Sequence, residues 1–104
     1  MQARVNATAV LLAASFAASA ALAQDAQLGR NLAATCANCH GSNGAARGDA
    51  KVLAGMPVPA LVGLMAAYKG GAVSGTIMNQ IAKGYSEEQV ALIAAFFAAQ
   101  QPRK

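Results

Sequence analysis

Cys36-Ala37-Asn38-Cys39-His40 holds both cysteines and the only histidine of this 104-residue chain. Two thiols spaced this way lie about one helical turn apart, and the next residue projects its imidazole beside them. A structural zinc site asks for four Cys or His ligands, more than the whole chain offers. A thioredoxin-like redox pair belongs near a βαβ pattern, and no alternating segment of useful length is present. A plain disulfide in an oxidising compartment explains the thiols and leaves His40 without a role. The pattern that uses all of these residues is C-x-x-C-H, in which each thiol adds to a vinyl group of haem c and the following imidazole ligates the iron. The sequence therefore predicts one covalent haem c, attached at Cys36 and Cys39, with His40 as an iron ligand.

With no second histidine, a bis-histidine iron cannot be built within the chain. A thioether opposite histidine is the other common arrangement. Beyond Met1 the methionines are Met56, Met65 and Met78. Met65 shares an apolar stripe with Leu61, Leu64 and Tyr68, which reads as core filling. Met56, between Gly55 and Pro57, lies close in sequence to the proximal side. Met78 follows Gly70-Gly71 and Gly75, which give the chain freedom to present it, and is the predicted sixth ligand. Met56, Met65 and an open position are the alternatives. An open position would give a gas-binding or peroxidase site, for which no second histidine or obvious acid-base pair is present.

The predicted elements are all helical. Leu28, Leu32 and Thr35 or Cys36 recur about once per turn, predicting a short helix over 25–35 that runs into the cysteines. Residues 41–55 are rich in glycine and polar residues and read as a loop anchored inward by Val52 and Leu53. Pro57 and Pro59 prepare a second helix carrying the stripe Leu61, Leu64, Met65 and Tyr68, stopped by Gly70-Gly71. A short helix over 76–83 places Met78 in its first turn and Ile77 and Ile81 on one side. Ser86-Glu87-Glu88-Gln89 has the form of a capping box ahead of an apolar helix over 90–99.

The N-terminus narrows the folded part further. Arg4, the apolar run around Val10, Leu11 and Leu12, and Ala21-Leu22-Ala23 have the layout of a secretory signal, predicting a signal peptide over 1–23 and a mature domain over 24–104. An uncleaved anchor is the alternative, diluted by Asn6, Thr8, Ser15 and Ser19. The expected location is the periplasm, with no membrane span in the mature protein. Of eight Lys and Arg only Arg4 lies in the signal, which leaves a mildly basic domain against four Asp and Glu. The basic residues are scattered, which argues against nucleic acid and allows some steering toward an acidic partner. A domain this small has a small core and commonly needs a metal or prosthetic group to complete it.

From Gly29 to Phe97 the chain resembles the class I cytochromes c. Gly29 before the cysteines, and Phe96-Phe97 near the end, stand where that family crosses its terminal helices, the glycine allowing an aromatic ring to approach closely. The segment from Thr76 to Ser86 is similar to the methionine segment of the small cytochrome subunit of flavocytochrome c sulfide dehydrogenase and related short periplasmic cytochromes. Ala54-Gly55-Met56-Pro57, Tyr68-Lys69-Gly70 and Ala94-Ala95-Phe96-Phe97 also resemble that group. The resemblance implies about four helices around one haem, and an electron-transfer protein without catalysis of its own. It also implies a sulfide-oxidising flavoprotein as electron donor and other periplasmic redox proteins as further partners. A free-standing shuttle to an oxidase or reductase is the alternative. One departure matters: Lys51 stands where such sequences carry a proline, near the carbonyl that accepts the proximal imidazole N–H. Which carbonyl does so here does not follow from the sequence.

Overall fold

The computed structural model describes residues 24–102. Among them no strand occurs, and the chain is helical throughout apart from its loops. Helix α1 covers residues 24–33. A 3-10 turn, Ala34–Cys36, follows it and leads directly into α2, Ala37–His40. Ala33, Cys36 and Ala37 all keep right-handed helical angles, so α1, the turn and α2 form one continuous path that ends at the histidine. Gly41 breaks it with φ 78°.

Three further helices complete the fold: α3, Val58–Gly70; α4, Met78–Lys83; and α5, Glu87–Ala98. Pro57 caps α3 and Pro59 lies in its first turn, where a missing N–H costs nothing. Gly71 ends the helix in the left-handed conformation at φ 80°. Ser86 and Gln89 form the expected capping box: the Gln89 N–H donates to Ser86 Oγ and the Ser86 N–H to Gln89 Oε1.

Among the described residues the buried core is small, and α5 supplies four of its eight apolar residues. Val90, Ile93, Ala94 and Phe97 of α5 are buried with Ala33 and Leu61, and α3 packs against both α4 and α5. A Cβ at Gly29 would lie 2.8 Å from the carbonyl oxygen of Leu92. The close approach at this glycine is therefore to α5 backbone, not foremost to an aromatic ring. The glycine that meets the Phe97 ring is Gly44, whose added Cβ would lie 2.8 Å from Phe97 Cδ1, at φ 76°. Phe96 and Phe97 pack edge to face with centroids 5.2 Å apart.

Two inward assignments fail for related reasons. Leu28 is 48% exposed, because the buried positions of α1 are Gly29 and Ala33, small residues chosen by the tight approach of α5. Val52 is 46% exposed, while Leu53 packs on the core and Ala54 is buried. The N–H groups of Leu53 and Ala54 both donate to the Gly44 carbonyl, and that of Gly55 donates to Phe97 O. This pins the loop by backbone bonds and leaves Val52 outside.

Candidate functional site

The loop that backbone bonds fasten to Phe97 carries Lys51, and its carbonyl oxygen lies 2.6 Å from His40 Nδ1. A carbonyl can only accept, so Nδ1 carries a proton, and in the neutral imidazole it is Nε2 that keeps a free lone pair. The oxygen that orients the imidazole thus belongs to Lys51 itself. The missing proline is not needed, because the bond uses backbone.

A cavity of about 620 Å³ opens beside this imidazole. Cys36, Cys39 and His40 reach it from the end of the α1–α2 path, and Met78 from the start of α4. The stripe Leu61, Leu64, Met65 and Tyr68 of α3 also lines it, so that face meets the cavity as well as the protein core. Leu61 alone of the four is fully buried. Ile77 and Ile81 both line it too, though Ile77 is 56% exposed and stands at its rim.

All three methionines considered from sequence reach this cavity. Met56 and Met65 also pack against the core cluster, which gives each a structural role. Met78 is not among the residues packed on that cluster and is held by a different set of contacts. Asn79 Nδ2 donates to Tyr68 O and Val73 O, each at 2.8 Å, and Asn79 Oδ1 accepts from the Gly75 N–H at 2.8 Å. Sequence reasoning passed over Asn79, since an asparagine inside a short helix gives no periodic signal.

It also passed over a polar contact near the cysteines. Thr35 Oγ1 and the Tyr85 hydroxyl are 2.7 Å apart, and Lys69 Nζ donates to Tyr85 O at 2.8 Å. Together these tie the segment after α4 to the cysteine turn and to the end of α3. Burial pushes the Cys36 thiol above its ordinary pKa, with the Thr35 hydroxyl acting in the opposite direction.

The donor set fits haem c: two thiols one turn apart, an oriented imidazole with a free Nε2, and thioethers lining the same apolar cavity. The volume lies within the range of cofactor sites, roughly 300–1,000 Å³. Among the described residues no cluster of three His, Cys, Asp or Glu offers an alternative metal site.

A family model described as cytochrome c matches residues 26–101. The chain belongs to the cytochrome c family. This cytochrome c is an electron-transfer protein rather than a catalyst, and it holds haem c covalently, with Cys36 and Cys39 in the attachment motif. Two relatives are similar to it. It is 32% identical over 69 residues to the cytochrome subunit of sulfide dehydrogenase of Chlorobaculum tepidum, covering 66% of this chain and 63% of that protein. It is 34% identical over 85 residues to cytochrome c-554(548) of Halomonas halodenitrificans, covering 76% of this chain and 100% of that protein. The match to the first thus spans under two thirds of the relative's length. No helix among the described residues is long and apolar enough to cross a membrane.

Proposed function

We propose that this cytochrome c is an exported, periplasmic carrier that accepts single electrons from a sulfide-oxidising flavoprotein. In this reading Cys36 and Cys39 would hold haem c through thioether links, and His40 Nε2 and the Met78 sulfur would ligate its iron. The observation that carries it is the convergence of these four side chains on one cavity, with His40 already oriented by Lys51 O. The similarity to a cytochrome subunit of sulfide dehydrogenase supports the choice of donor.

When bound, haem c supplies a one-electron iron couple in a protein-tuned setting. The chain's own residues do the tuning. Lys51 O holds the imidazole plane and raises the donor strength of Nε2 through the Nδ1–H bond. Leu53, Leu61, Leu64, Ile81, Ile93 and Phe97 exclude water from the cavity, which lowers the local dielectric.

The test is rapid mixing with the cognate flavoprotein after reduction by sulfide. Fast reduction of this cytochrome supports the assignment. Slow reduction by that donor, with fast reduction by another periplasmic protein, would favour a free-standing shuttle. The shuttle reading has its own support, since the match to cytochrome c-554(548) spans the whole of that relative.

A further inference from the structure

We propose that Asn79 is a positioning residue, a latch that fixes the segment presenting Met78 to the cavity; this rests on the Met78 ligation proposed above. Residues 71–77 leave α3 and return to α4 without regular structure. A segment of this kind has little to fix its path except specific bonds. Asn79 supplies them, and does so from the position next to Met78.

Its half-buried amide makes bonds at 2.8 Å to Tyr68 O at the end of α3, and to Val73 O and the Gly75 N–H within the loop. Two carbonyls can face only an NH2, and a backbone N–H can face only an oxygen, so the amide orientation is determined by its partners. No apolar or acidic side chain serves both kinds. Gly75 is also laid against the Tyr68 ring: a Cβ there would lie 3.0 Å from Tyr68 Cε1 and 3.4 Å from Met78 Cβ. The latch therefore sets the distance between the end of α3 and the residue that begins α4.

Releasing this latch lets the segment sample open positions in which the Met78 sulfur is away from the iron. A ligand that competes for that coordination position then binds more tightly, by the factor through which the open population rises.

Holoprotein variants test this, with imidazole as the competing probe. Asn79→Ala removes all three bonds, and Asn79→Asp keeps the acceptor for Gly75 while losing both donors. Both variants are expected to bind imidazole about tenfold more tightly, the loss of roughly one net hydrogen bond or more. Both should lose the far-red sulfur-to-iron band at a temperature well below that of helix melting. Gln80→Ala, an exposed neighbour in the same helix, should change neither. If Asn79→Ala fails to fold, Asn79→Asp carries the measurement. Met78→Ala separates the two levels of inference. If it keeps the far-red band, the ligand assignment falls and the latch with it. If it loses the band while both Asn79 variants match wild type in imidazole affinity and band melting, the latch alone is overturned.

Discussion

His40 Nδ1 and the carbonyl oxygen of Lys51 are 2.6 Å apart, a polar contact that orients the imidazole beside the cysteines. Because the acceptor is backbone, the Lys51 side chain is expendable. Lys51 is exposed. Lys51→Ala should change stability by no more than about 0.5 kcal/mol, as for other surface changes. The proton resonance of His40 Nδ1–H should stay in place. A large shift of that resonance would mean that the side chain, not the carbonyl, sets the imidazole.

This contact also marks the limit of what was legible beforehand. Cys36, Cys39 and His40 declare their chemistry by spacing alone, and the capped helix after Ser86 declares itself by its hydrogen-bonding residues. Lys51 gives no such sign, since every residue, proline included, offers the same backbone carbonyl, and only the fold brings this one to His40. Leu28 and Val52 misled for the opposite reason. Large apolar residues outrank small ones in any periodic reading, yet the buried positions of α1 are Gly29 and Ala33, and the loop is fixed by backbone bonds. The apolar stripe on α3 is legible in the sequence, but the cavity it also lines is not, because a covalent cofactor leaves the same pattern as a protein neighbour.

Two glycines should respond to alanine with opposite signs. At Gly29 the added Cβ would lie 2.8 Å from Leu92 O, and backbone on both sides leaves no flexible group to yield. Gly29→Ala should cost about 1–3 kcal/mol as overpacking. At Gly63, inside α3, nothing lies within 4 Å of the added atom. Gly63→Ala should stabilise by about 0.5–1 kcal/mol through helix propensity. Thermal melting resolves both, since 1 kcal/mol moves a domain of this size by about 4–8 °C. Equal effects at the two sites would contradict the close approach of Gly29 to the Leu92 backbone of α5.

Without its cofactor the chain should lose most of its order. The fully buried side chains are few, and Leu64, Met65, Tyr68 and Ile81 line the cavity without being fully buried. Cys36→Ala/Cys39→Ala protein, which cannot attach haem, should show little helical circular dichroism and no cooperative melting. Native-like helix content in that variant would show that the protein core suffices. In the wild type the haem should remain with the unfolded chain on denaturing gels.

The secretory-signal reading of residues 1–23 lies outside the described residues and needs a direct measurement. Cleavage before Gln24 should leave a mature chain beginning at that residue with one haem attached, as read by intact mass. A mature mass that retains residues 1–23 would favour a membrane anchor.

Met78 is the distal ligand in the proposed site, and the three methionines lining the cavity make this separable by substitution. Met56 and Met65 pack on the core cluster, whereas Met78 begins α4 under the hold of Asn79. A coordinated thioether favours ferrous over ferric iron and occupies the position that added ligands would take. Oxidised wild type should therefore show the weak far-red sulfur-to-iron band, stay low-spin, and resist carbon monoxide when reduced. Met78→Ala should lose the band, admit carbon monoxide and fall in potential, by about 59 mV for each tenfold loss of ferrous preference. Met56→Leu and Met65→Leu conserve volume and should keep all these properties, at a stability cost under about 1.5 kcal/mol. Survival of the band in Met78→Ala, with its loss in either leucine variant, would move the sixth ligand to that methionine. The attachment at Cys36 and Cys39 would be untouched by that result, because it depends on the cysteine turn and not on α4.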